Sequence, residues 1–133
     1  MEEVRGLSVS GSGNIIGQSE INADTLKLSI SGSGSSDLTL SVEELNTVIS
    51  GSGKSKLNGT AKVHNIVISG SGDVKAFDLS TERTDITISG SGKAQVDASQ
   101  EFDVSIFGSG TVYYTGDAAV SQNVSGSGRV KKV

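Results

Sequence analysis

The sequence has no cysteine, no proline and no tryptophan, and aromatic residues make up only 4% of it. Without cysteine there is neither a disulfide nor a thiol nucleophile, and the redox compartment stays open. Scarce aromatics exclude a core built on large side chains, because these bury the most area each. The interior must instead be thin and made of Val, Ile, Leu and Ala. A single histidine, His64, excludes a multi-histidine metal site. It leaves one candidate for a serine–histidine pair, but no acidic or serine neighbour singles it out, and a surface position is expected. No apolar run approaches the ~20 residues that span a bilayer. Met1 through Arg5 are acidic and lack an apolar segment, so no signal peptide is read there. A net charge of −4 lacks the basic excess of a nucleic-acid binder.

What the chain does have is glycine, 18 residues in 133, and it is periodic. Gly-Ser-Gly begins at Gly11, Gly32, Gly51, Gly70, Gly90, Gly108 and Gly126, at intervals of 18 to 21 residues. A repeat of this period marks a stacked architecture. It runs end to end, so residues 1–133 read as one domain. A flexible linker is excluded because ordered apolar alternation flanks each copy.

Two residues before each tripeptide stands Val9, Ile30, Ile49, Ile68, Ile88, Ile106 or Val124. Two places earlier come Leu7, Leu28, Thr47, Ile66, Ile86, Val104 and Gln122. Two residues past it lie Ile15, Ser36, Ser55, Val74, Ala94, Val112 and Val130; four past it lie Gly17, Leu38, Leu57, Ala76, Val96 and Tyr114. Period two means strands with one buried face. A third, less regular segment carries Ala23, Leu40, Ala61, Leu79, Ala98 and Ala118. The expected fold is all-β: a single-stranded parallel β-helix, or β-solenoid, of about seven rungs with three short strands per turn. The crossover preference favours a right-handed coil. Continued alternation would turn both glycines of each tripeptide inward and stack the serines into an outward ladder, with a second ladder from Ser10, Ser31, Ser50, Ser69, Ser89 and Ser125.

Chemistry is sparse. Gly51 through Lys54 lacks the spacing and the following helix of a phosphate-binding loop. No calcium-binding nonapeptide is present, and the hexapeptide period of left-handed acyltransferase helices does not fit. No catalytic, cofactor-binding or metal-ligating residues are assigned. Charge does segregate. Lys54, Lys56, Lys75, Lys93, Arg129, Lys131 and Lys132 follow the tripeptides, while Glu20, Asp24, Glu43, Glu44, Asp78, Glu82, Asp85, Asp97, Glu101, Asp103 and Asp117 occupy the rest of the turns. Stacking would gather a basic strip beside an acidic flank. Phe107 replaces the serine of its ladder, and Tyr113 follows at an outward position. The candidate binding surface is therefore Lys54, Lys56, Lys75 and Lys93 with Phe107 and Tyr113. Simple solvation accounts for the charges equally, and the C-terminal tail could cover the aromatics.

The repeated Ile-Ser-Gly-Ser-Gly, as in Val48 through Gly53 and Val67 through Gly72, resembles the head GIN domain family of putative auto-transporter adhesins. Tyr114 through Asp117 and Val124 through Gly128 resemble that family's last rungs. The resemblance covers nearly the whole chain. It implies a β-helix exported beyond the inner membrane to the periplasm or cell surface of bacteria. It implies no catalysis, cofactor or ligand, so no functional residue carries over. Members commonly carry a further N-terminal β-rich segment, which suggests a shortened version here. The leading expectation is a non-catalytic extracytoplasmic scaffold or adhesin-like module, with a glycan or cell-surface protein as partner. The alternatives are a polysaccharide-active β-helix, with Asp78, Asp97, Asp103 and Glu101 as acidic candidates, and an intracellular self-assembling scaffold.

Two outcomes are expected. Ile68→Ala should cost ~2–5 kcal/mol, as core truncations do, and the outward Ser71→Ala under about 1 kcal/mol; equal losses in urea titrations would refute the inward and outward assignment. The first rung, with Leu7 and Val9 and only Glu2, Glu3 and Arg5 for protection, should self-associate through its unpaired edge. Light scattering should then show a dimer at high concentration, and a strict monomer would refute it.

Overall fold

The chain turns where it does because glycine recurs where a side chain cannot fit. In the computed structural model, which describes residues 6–16 and 21–132, the first glycine of each tripeptide has positive φ, from +78° at Gly11 to +126° at Gly108. L-residues with a Cβ resist that region. Space is short as well: a Cβ on Gly70 would lie 2.8 Å from the carbonyl oxygen of Gly51, one turn earlier. The second glycine meets a different obstacle. A Cβ on Gly92 would stand 2.5 Å from Cγ2 of Ile68. Each corner is thus threaded between the backbone of the preceding turn and its isoleucine.

The corners also stay bonded to each other. Ser52 N–H donates to Gly32 O, Ser71 to Gly51 and Ser91 to Gly70, each at 2.9 Å, and Lys54, Asp73 and Lys93 donate likewise to Gly34, Gly53 and Gly72 at 3.0 Å. Strand pairing therefore passes around the bend almost unbroken.

The strands are β1 (Gly6–Gly11), β2 (Asn14–Ile16), β3 (Ile21–Gly32), β4 (Ser35–Gly51), β5 (Lys54–Gly70), β6 (Asp73–Gly90), β7 (Lys93–Gly108), β8 (Thr111–Thr115), β9 (Ala119–Ser125) and β10 (Arg129–Lys132). They form one parallel sheet ordered β1-β3-β4-β5-β6-β7-β8-β10, with β2 on β4 and β9 on β7. Among the described residues there is no helix. The all-β solenoid expected from the repeat is the fold. Seven tripeptides bound six intervals, so the coil makes about six turns, rising roughly 29 Å at ~4.8 Å per turn. Three short strands per turn were expected, but β4 to β7 each run 16 to 18 residues as a single bent strand. Superposed corners let the ladder continue through the bend, so nothing divides it.

Inside, the apolar columns stack in register. Val9, Ile30, Ile49, Ile68, Ile88, Ile106 and Val124 are consecutive partners, and Ile49, Ile68, Ile88 and Ile106 are wholly buried. Ser71 and its ladder partners Ser33, Ser52, Ser91, Ser109 and Ser127 are exposed, as expected. Only the second glycine faces inward; Gly32, Gly51 and Gly70 are exposed, because positive φ swings the backbone around the outside of the bend. The irregular third segment separates into two columns. Ile21, Leu40, Gly59 and Leu79 form one; Ala23, Val42, Ala61, Thr81 and Ala98 form the other. The expectations for Glu2, Glu3, Arg5, Gly17 and Glu20 fall outside the described residues.

His64 is not on the surface. It is fully buried in the column Leu26, Leu45, His64, Thr84, Phe102, Val120. Its Nε2 lies 3.1 Å from Thr47 Oγ1, itself buried, while Nδ1 has no hydrogen-bond partner. A neutral ring with its proton on Nε2 donates to Thr47 and leaves Nδ1 a bare acceptor, which avoids the rarer orphaned N–H. Other interior polar groups pair off: Ser36 donates to Ser55 at 3.0 Å, and the Thr81 and Thr84 hydroxyls meet at 2.6 Å. Phe102 is wholly buried, its ring tilted 51° against Tyr114 at 5.1 Å.

Burial pushes the His64 pKa down from 6.5 to about 3. The unfolded chain takes up a proton near 6.5 that the native ring refuses. Stability from this group is therefore full above 6.5 and falls as the pH drops from there toward 3. Between pH 6.5 and 5, above the ordinary carboxylate range, the loss should approach ~1.4 kcal/mol per pH unit. The double variant Thr47→Val/His64→Leu keeps the column apolar and should flatten that slope in urea titrations. An unchanged slope would place the titration elsewhere.

Candidate functional site

At one corner, side chains on either side of an inward floor residue converge on the outside of the coil. The floor is Val42, Ala61 and Thr81, at 7%, 4% and 4% exposure. One wall is the in-register column Ser41, Thr60, Ser80, Asp97. The other carries Glu43, Lys62, Glu82 and Ser99. Together they line a groove of about 520 Å³ that crosses four successive turns, from β4 to β7. That volume falls in the ordinary range for ligand sites.

The groove arises from a mismatch in turn length. Between Ala76 and Ser80, β6 carries three residues where β7 passes directly from Val96 to Asp97. The shorter turn draws Asp97 in beside Ser80. Burial then raises the Asp97 carboxyl above its ordinary value. Thr81 is held in the floor by its hydrogen bonds to Thr84 and to the Asp97 carbonyl. On the opposite wall, Lys62 Nζ and Glu43 Oε1 are 3.9 Å apart and largely exposed, so that pair adds little rigidity.

A smaller recess of about 230 Å³ lies on the neighbouring face, lined by Val63, Arg83, Thr84, Asp85, Glu101 and Asp103. Asp85 and Asp103 are register partners. Burial first, and the Asp103 charge second, push the Asp85 carboxyl upward. The chain relieves this stacking in two ways. Arg83 sits 3.6 Å from Glu101 beside it, and above it the column turns neutral, with Asn65 donating to Asn46 at 2.9 Å.

The lysines named from the sequence share one wall. Ser35, Lys54, Asp73, Lys93 and Thr111 form one outward column, and Asp37, Lys56, Lys75, Gln95 and Tyr113 form the next. Lys56 and Lys75 are adjacent and exposed, while Asp37 and Asp73 interrupt the strip. Phe107 stands across the glycine corner from Tyr113, 51% exposed, between Ser89 and Ser125 in its column. The acidic candidates do not converge: Asp97 lies in the groove, Glu101 and Asp103 in the smaller recess, and Asp78 in a column with Asn58. Among the described residues, no group of three or more His, Cys, Asp or Glu could hold a metal ion.

The groove was missed from sequence for a definite reason. Counted from the closing glycine, its wall stands seven residues on at Ser41 and Thr60, eight at Ser80 and five at Asp97. Simple counting loses register there. Only the pairing of small residues just beyond, Ala61 and Ala98, hinted at the column.

The described residues form an in-register parallel solenoid with a filled interior, the architecture of a repeat protein. The chain belongs to the family described as "Putative auto-transporter adhesin, head GIN domain", whose model matches residues 1–118. Three solved structures are similar to it. One, titled a putative lipid binding protein from Parabacteroides distasonis ATCC 8503, has a TM-score of 0.94 and 31% identity over 96% of this chain and 52% of its own. A putative adhesin from Bacteroides fragilis NCTC 9343 has a TM-score of 0.91 and 27% identity over 97% of this chain and 60% of its own. A putative adhesin from P. distasonis ATCC 8503 gives 0.94 and 28% over 96% and 55%. The chain therefore spans little more than half the length of these structures. None of the curated proteins compared by sequence matches it.

Proposed function

We propose that the chain is a non-catalytic, extracytoplasmic binding module of the adhesin type, which presents rows of side chains to a glycan or cell-surface protein. The observation that carries this reading is the groove across four turns, built from in-register columns of hydroxyl and charged groups. Repeated contacts at fixed spacing suit a polymeric partner, since each further contact is intramolecular. Membership of an adhesin family supports a place at the cell surface or otherwise outside the cytoplasm. Lys54, Lys56, Lys75 and Lys93, with Tyr113 and Phe107 beside them, offer a second face for an anionic partner, and its binding should weaken with salt.

One observation favours a polysaccharide-active enzyme instead: Asp97 is a groove carboxyl held above its usual range. Acid–base cleavage needs a second carboxylate placed across the scissile bond. Glu101, Asp103 and Asp78, the partners named from the sequence, lie outside the groove, and the carboxylates on the wall opposite Asp97 are Glu43 and Glu82. Lipid binding, the role in one relative's title, finds poor support here. The coil interior is filled with side chains, and the exterior groove is rimmed by polar ones.

The test is a titration of the chain against immobilised neutral and acidic polysaccharides, with the supernatant assayed for reducing ends and unsaturated products. Saturable binding without product release is expected. Steady release of either product would replace the binding-module reading with the enzymatic one.

A further inference from the structure

The groove's shape and charge select among ligands. One wall is straight, because Ser41, Thr60, Ser80 and Asp97 are successive register partners, while the opposite wall shifts register between Thr81 and Arg83. It runs along the coil axis for three intervals of ~4.8 Å, roughly 14 Å. The floor is the strand backbone at Val42, Ala61 and Thr81, whose side chains turn inward at 7%, 4% and 4% exposure, and the rims offer hydroxyls and carboxylates. Sugar rings present hydroxyls along their edges to match such rims. Lining carboxylates from Glu43, Glu82 and Asp97 outnumber the single cation, Lys62. A polyanion would meet net repulsion, and a neutral polyol would find acceptors for its hydroxyls.

The geometry points to the groove between Ser41 and Ser99 as a binding site for a neutral, linear, β-linked glycan, lying parallel to the coil axis over the strand backbone at Val42, Ala61 and Thr81, with its hydroxyl edges toward the two rims. This assignment rests on the binding-module reading and names the ligand class for that site. An extended β-linked chain advances by one ring over nearly the rise of one turn. Successive rings then meet successive rungs: Ser41 and Glu43, Thr60 and Lys62, Ser80 and Glu82, Asp97 and Ser99. An α-linked chain of the amylose kind coils and cannot follow a straight groove over this length. The lysine wall is a separate face and takes no part, so the two surfaces discriminate between neutral and anionic polymers.

The experiment is a calorimetric titration of the whole chain with cellohexaose, xylohexaose and chitohexaose, with maltohexaose and polygalacturonate as counter-probes. Binding to at least one β-linked hexaose is expected, with maltohexaose at least about tenfold weaker. Ser80 is exposed on the groove wall, so Ser80→Trp should fill the groove and weaken binding by about tenfold or more. Its thermal midpoint and circular dichroism should match the parent chain. Thr60→Arg, at the next exposed wall position, serves if Ser80→Trp does not fold. Ser71→Glu, on the exposed serine ladder at the glycine corner, should leave hexaose binding unchanged. Failure of every β-linked hexaose to bind, or equal binding by the folded groove variants, overturns the assignment. If the same groove variants still hold immobilised polysaccharide, the binding-module reading stands and only the groove falls. If the parent chain holds none of those polymers either, that reading fails with it.

Discussion

Everything in this molecule depends on two turns being able to touch at the corner. The first glycine of each tripeptide passes under the carbonyl of its counterpart, and the second passes under an isoleucine methyl. A methyl group at either place would push one turn away from the next. Separation there would break the corner hydrogen bonds, which carry the pairing across the gap where each of β4 to β7 ends at its first glycine and the next strand begins just past the second. The apolar columns follow from this. Once corners superpose, residues at equal distance from them must superpose too, and Ile30 to Ile106 form a continuous stack. A chain with almost no aromatics can then bury enough, because each small side chain is covered from above and below.

That dependence explains how far the fold could be read. Upstream of the tripeptide every turn has the same length. Leu26, Leu45, His64, Thr84, Phe102 and Val120 each stand six residues before a first glycine. The period-two pattern read at two and four places before the glycine extends to the sixth, and following it one step further would have put His64 inside. The ordinary preference of histidine for partly exposed positions pulled the other way. Downstream the pattern holds for four residues and then fails. Turns of 18 to 21 residues absorb their differences beyond that point, through the irregularities between Lys56 and Asn58, between Ala76 and Ser80 and between Thr81 and Arg83. Columns there belong to register, which sequence spacing alone does not supply.

The candidate site was less legible than the fold for the same reason. The lysine wall lies just after the corner, where counting works: Lys56 and Lys75 are register neighbours there, while Asp73 separates Lys54 from Lys93. The groove lies where counting fails. Its members are also unremarkable one by one: serines, a threonine, an alanine and scattered charges. Exposed Glu43 and Lys62 read in sequence as a solvated surface, and only the convergence of two outward walls gives them a shared space. The burial that raises Asp97 comes from the short turn of β7, a difference of three residues between neighbours.

The two sides of the coil therefore answer to different rules. Along the glycine edge and the strand before it, one inserted residue would shift a whole column from core to solvent. On the groove side, neighbouring turns already differ by as many as three residues, and the stack closes over them. A lineage of such chains can lengthen or shorten that wall turn by turn, widening, narrowing or re-charging the groove, while the spine that holds the turns together stays as it is. Wall length and foldability are thereby written on opposite margins of the same repeat, so one can change while the other stays fixed.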